Sequence, residues 1–139
     1  MHFNIFPSRY QFRRFVFFLL LPIFCFLHVR NAHASTSENA LVEKLHDIKA
    51  LVDAGVNYDE YSRQITGMIL LSEKCKRVDP GCSRHYGKVA YLIDAKKAWA
   101  EKIQTDSEEM REIKERQIQI YWQIAFELLD QYDKKKGKK

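Results

Sequence analysis

Glycine and proline are scarce, five and three in 139 residues, which excludes collagen-like and low-complexity chains. Alternation of apolar and polar residues over strand lengths is absent, so β structure is not expected. The chain has no G-x-S-x-G, no phosphate-cradling glycine loop and no C-x-x-C-H. It therefore lacks the sequence marks of a nucleophile elbow, a P-loop and covalent haem attachment, and no cofactor is expected. Long hydrophobic runs are missing as well. The most apolar stretch, Phe15–Val29, is interrupted by Pro22 and falls short of the roughly 20 residues that span hydrocarbon.

The charge that is present is unevenly placed. The whole chain carries +5, which invites a nucleic-acid reading. Four arginines (Arg9, Arg13, Arg14, Arg30) precede the first acid, however, and five lysines fall in the last six residues. Glu38–Asp133 keeps 14 basic against 18 acidic groups, a net −4. A mildly acidic body argues against nucleic acid as the partner.

Arg9, Arg13 and Arg14 before Phe15–Val29, then Ala32-His33-Ala34, form the charged, apolar and small-residue regions of a cleavable secretory leader over residues 1–34. Ile23 and Phe24 are too large for a lipobox before Cys25. Export to a periplasmic or extracellular compartment changes the meaning of the remaining cysteines, Cys75 and Cys82, which an oxidising environment favours joining. Asp79-Pro80-Gly81 between them is a strong turn signal that brings their ends together. Structural zinc would want four ligands, and of the histidines only His85 is near.

The rest of the chain reads as an all-α bundle over residues 35–133. Leu41, Leu45, Ile48 and Val52 share one helix face, with Ser35 and Glu38 spaced as a capping box. Gly55 ends that helix and Asn57 caps the next, whose face is Tyr58, Tyr61, Ile65, Met68, Ser72 and Cys75. After Cys82 the stripe resumes as Val89, Leu92, Ile93, Trp99 and Ile103. It returns as Met110, Ile113, Ile120, Tyr121, Ile124, Leu128 and Tyr132. Thr105-Asp106-Ser107 lies between, and Thr105 with Glu108 is a further capping-box pattern. Four helices are expected; the alternative, a hairpin plus one very long helix, would leave an arm unable to bury its stripe without a partner chain.

The segment Ala54-Gly55-Val56-Asn57-Tyr58-Asp59-Glu60-Tyr61, followed by Tyr91-x-x-x-Ala95-x-x-x-Trp99, resembles a loose group of small exported bacterial helical proteins that share A-G-V-x-Y-x-x-Y and a later Y-x-x-x-A-x-x-x-W. The resemblance covers about Leu41 to Trp99 and brings no established activity with it. Lys49 to Tyr61 is also similar to the helix-turn-helix of short bacterial C-terminal oligomerisation domains, with a turn one residue shorter. Gly55 permits the turn, and two tyrosines three residues apart would face the partner helix.

Candidate chemistry is thin. Glu43-x-x-His46 has the spacing of di-iron bundles, but those sites need a second such motif and two more inward Glu, and His46 lies off the apolar face. Glu108, Glu109, Glu112 and Glu115 interleave with Arg111, Lys114 and Arg116 as a salt-bridged solvent face. Binding is therefore expected, not catalysis, with a protein partner or self-association. Tyr121, Trp122 and Phe126 are candidates for an aromatic anchor on a partner, the plainer reading being a broad core face. Trp122 is expected to be more accessible than Trp99. Lys134, Lys135, Lys136, Lys138 and Lys139 form a basic tail, disordered by default, that is suited to weak contact with an anionic membrane or cell-wall polymer. The overall expectation is an exported interaction or scaffold protein of the bacterial envelope; the alternatives are a periplasmic chaperone or stress protein, exposing a concave apolar surface, and an immunity or inhibitor protein, presenting an acidic patch to a secreted effector.

Overall fold

The structure, a computed structural model, describes residues 37–138. The leader expected over residues 1–34, the capping role of Ser35 and the last lysine, Lys139, lie outside them. Helix α1 is described over residues 37–53 and is followed by α2 (Tyr58–Val78), a 3-10 segment (Pro80–His85), α3 (Tyr86–Gln104) and α4 (Glu108–Lys136). Among the described residues there is no strand.

Cross-helix bonds give the topology. Lys49 meets Asp130 at 2.8 Å and His46 meets Asp133 at 3.2 Å, so α1 runs antiparallel to α4. Tyr58 stacks on Trp99 while Lys76 covers Tyr86, so α2 runs antiparallel to α3. Lys102 pairs with Glu115 and Lys114 with Glu101 across the α3–α4 hairpin, and Lys44 bonds Gln64 between α1 and α2. Each helix is antiparallel to its sequence neighbour and α1 closes on α4, which is an up-down-up-down four-helix bundle.

The first hairpin forms as expected. Gly55, at φ +84°, allows the Val56 N–H to reach the Leu51 carbonyl and its own N–H to reach that of Val52, a Schellman ending that a side chain would strain. Asn57 Oδ1 then accepts from the Glu60 N–H at 3.0 Å. Leu41, Leu45 and Ile48 of α1 and Tyr61, Ile65, Met68, Ser72 and Cys75 of α2 are buried. Cys75 and Cys82 form a disulfide with Cα atoms 5.9 Å apart, and Asp79 accepts from the Gly81 N–H at 2.7 Å to start the 3-10 turn.

Two expectations about the second hairpin are corrected. The chain does break between α3 and α4, but the cap is Ser107, whose hydroxyl accepts from the Met110 N–H at 3.3 Å. Thr105 still donates its backbone N–H to the Glu101 carbonyl and so closes α3. The apolar stripe is also rotated. In α4 the buried residues are Ile118, Ala125 and Leu129, whereas Ile120 is 53% exposed; in α3, Ala95 and Ala98 are buried and Ile103 is 56% exposed. Alanines mark the seam because α3 and α4 pack more extensively than any other pair among α2, α3 and α4, and small side chains let two backbones approach. Ile103 and Met110 sit at the far end of this hairpin, beyond the level where Tyr58 begins α2.

Trp122 falls on the rotated stripe, one turn before Ala125. Both it and Trp99 are partly buried. The two rings meet edge to face at 5.5 Å, and Tyr61 packs on both, at 5.6 Å from Trp99 and 5.5 Å from Trp122. The Tyr61 hydroxyl donates to the Leu92 carbonyl at 2.9 Å, and burial pushes its pKa up. Such aromatic pairs contribute about 0.5–1.5 kcal/mol each beyond their buried area, so this cluster ties α2, α3 and α4 into one core.

Candidate anion-binding groove

At the end of the bundle where α1 begins and α4 ends, four polar side chains from four segments meet inside the protein. The disulfide and the Asp79-Pro80-Gly81 turn fold His85 inward, where it is 0% exposed. Its Nε2 lies 3.0 Å from Glu38 Oε1 on α1, and its Nδ1 lies 3.3 Å from Lys88 Nζ on α3. The Tyr132 hydroxyl of α4 donates to the same Glu38 oxygen at 3.1 Å, and its ring packs edge-on against His85 at 4.6 Å. An ammonium only donates, so Nδ1 accepts from Lys88 and the imidazole proton sits on Nε2, donating to Glu38.

The electrostatics agree with that assignment. Burial alone would raise the Glu38 carboxyl, but the hydrogen bonds from His85 and Tyr132 and the Arg84 charge outweigh it and hold the group below the usual range. Burial lowers the His85 pKa, and Lys88 and Arg84 lower it further against the opposing pull of Glu38. Burial also lowers Lys88, partly offset by the charges of Asp133 and Glu38. The relay is a carboxylate, a neutral imidazole and an ammonium in series.

Lys88 is 4% exposed and yet lines a groove of about 820 Å³ together with Arg84, Lys135, Lys136 and Lys138. Glu38 is the only carboxylate of that lining, and Asn39, Leu128, Gln131 and Tyr132 complete it. Lys136 is held in place by a 3.0 Å bond to Asn39 and lies 6.0 Å from the Tyr132 ring centre. Arg84, Lys135 and Lys138 have no side-chain hydrogen bond or ion pair to another described residue.

The first half of the lysine-rich end, expected as disordered, is helical. Lys134, Lys135 and Lys136 form the last turn of α4, with the Gly137 N–H bonded to the Asp133 carbonyl; cations there complement the negative end of the helix dipole. Lys134 is not part of the groove lining. Tyr121, Trp122 and Phe126 are partly buried and packed against the core. His46 is engaged with Asp133, and no three His, Cys, Asp or Glu side chains among the described residues gather as a metal site. No described helix is long and apolar enough to cross a membrane.

Sequence reasoning missed Arg84 and Lys88, and it used Glu38 only as a cap. One signal was present: Lys88 lies in the first turn of α3, which carries no acid and no side-chain cap, where a cation is disfavoured by the helix dipole. Compared with family models, curated proteins and solved structures, the chain matches none, so the site rests on its own residues.

Proposed function

We propose that this is an exported, non-catalytic helical protein of the bacterial envelope that binds an anionic lipid surface through the groove. The observation that carries the reading is the convergence of Arg84, Lys88, Lys135, Lys136 and Lys138 on one concavity of a body that is otherwise net acidic. Like charges gathered on a folded surface repel one another, and a bound anion relieves that repulsion. Catalysis is disfavoured by the same geometry: both nitrogens of His85 are committed to Lys88 and Glu38, Cys75 and Cys82 are bonded to each other, and the Ser83 hydroxyl donates to the Pro80 carbonyl. Nucleophilic chemistry needs a nucleophile beside a free base.

Co-sedimentation with phosphatidylglycerol vesicles tests the reading. Binding should be present at low salt, weaken steeply as screening shortens to about 8 Å at physiological ionic strength, and be absent on phosphatidylcholine. Equal binding to both vesicle types, or none to either, would overturn it.

A further inference from the structure

The groove is more selective than a patch of positive potential. Lys88 Nζ donates one N–H to the Arg84 carbonyl at 3.1 Å and one to His85 Nδ1 at 3.3 Å. Its third N–H has no oxygen or nitrogen acceptor among the described residues: the Tyr132 ring centre lies 5.3 Å from Nζ, a weaker partner than an anion, and no carboxylate of the described residues stands within ion-pair distance. A buried ammonium with a donor to spare is costly in isolation, and inside the protein its attraction for an anion is stronger than that of a solvated lysine. The Arg84 guanidinium makes no side-chain hydrogen bond or ion pair with another described residue. Lys136 is already oriented by Asn39.

Glu38 does not fill the position that these donors leave. Its Oε1 accepts from both His85 and Tyr132. Its Oε2 packs against the Gly81 backbone, where an added Cβ would stand 2.8 Å away. The carboxylate is clamped on the side of the turn, which leaves the cations facing the groove. The first turn of α3 supplies no acid that would answer these cations.

We propose that the groove seats a single phosphate monoester group, with Lys88 as its floor and Arg84 and Lys136 as its walls. A monoester carries about −1.5 to −2 charges and three acceptor oxygens, which matches one point-charge donor, one bidentate fork and one further ammonium. A carboxylate or a phosphodiester brings a single charge and two such oxygens, and leaves one of these donors unanswered. The inference rests on the anion-binding reading and specifies its ligand; the group could come from a lipid headgroup or from free phosphate.

The experiment uses the full chain on vesicles of phosphatidic acid, a monoester, and of phosphatidylglycerol, a diester, at matched surface charge, with calorimetric titration of inorganic phosphate in parallel. The monoester vesicles should bind on the order of tenfold tighter, and inorganic phosphate should compete where chloride of equal ionic strength does not. Arg84→Gln, at an exposed position, should bring the ratio close to one while leaving the melting temperature nearly unchanged; Lys88→Met should also bring the ratio close to one, and the arginine variant carries the test if the lysine variant fails to fold. Equal binding to both vesicle types overturns the monoester site and leaves the general reading standing. Binding of inorganic phosphate with no vesicle binding supports the site, assigns it to free phosphate and overturns the lipid-surface reading. No binding of any of the three overturns both.

Discussion

Lys88 and Glu38, a buried ammonium and a carboxylate on different helices, are connected through the two nitrogens of one imidazole, His85, at 3.3 and 3.0 Å. The ring must stay neutral and keep one tautomer for both bonds to exist. Protonation would turn Nδ1 from acceptor to donor and set a new positive charge against Lys88 and Arg84.

Acid should therefore weaken the fold before it unfolds most carboxylate-dependent proteins. His85 has a lowered pKa in the folded state, so the unfolded chain binds the extra proton first. Its contribution is complete above the unfolded value, about 6.5, and is lost as pH falls from there toward the lowered folded value. Glu38, also lowered, adds a second loss as pH falls below its unfolded value, about 4.3, toward its own folded value. Melting temperature recorded from pH 8 to 4 should start to fall near pH 6.5; a profile flat down to pH 5 would contradict the relay.

Removing the middle of the relay should hurt more than removing its cationic end. His85→Ala leaves Lys88 buried and unbridged to the partly exposed Glu38, and also opens a cavity, at a cost of about 3 kcal/mol. Lys88→Met deletes a buried charge and leaves a side chain of similar length, but His85 Nδ1 loses its donor, so it should cost less, about 1–3 kcal/mol. Urea denaturation of the two variants checks the order.

The tryptophans should behave as a pair. Single-tryptophan variants should show similar iodide quenching, and a Trp99→Ala/Trp122→Ala double-mutant cycle should give a coupling of about 0.5–1.5 kcal/mol. Because the Trp122 ring packs edge-on against both Tyr61 and Trp99, Trp122→Phe, which keeps an aromatic ring there, should cost less than Trp122→Ala, which should lose about 3–5 kcal/mol.

Reduction should loosen the site along with the turn. The Cys75–Cys82 bridge closes a short loop and is worth about 2–3 kcal/mol, and it holds the segment that carries Arg84 and His85. Intact mass should rise by two hydrogens on reduction, and anion binding should weaken in the reduced protein while helix content measured by circular dichroism stays within about a tenth of its oxidised value.

The first hairpin was legible in the sequence because its signals are local: Gly55 at a left-handed position, Asn57 three residues before Glu60, and large apolar residues at helical spacing. The second was harder. Its seam is made by Ala95, Ala98 and Ala125, and counting bulky residues alone turns the stripe toward Ile120 and away from Ile118 and Trp122. The groove was the least legible part. Glu38, His85, Lys88 and Tyr132 come from four segments, spread over 94 residues between Glu38 and Tyr132, and only the bundle's closure of α1 on α4 brings them together. The terminal lysines were visible as charge, but that they continue α4 depends on the dipole and on Asn39 across the interface.

The central claim is that anions are bound by a folded groove and not by a linear basic tail, and one charge-matched comparison tests it most directly. Arg84→Glu and Lys134→Glu change the net charge equally, but Arg84 lines the groove and lies far from the tail in sequence, whereas Lys134 belongs to the tail and is outside the lining. Vesicle affinity at fixed salt should collapse in Arg84→Glu and fall only slightly in Lys134→Glu. Equal losses, or a larger loss from Lys134→Glu, would contradict the groove and return the interaction to the lysine run alone.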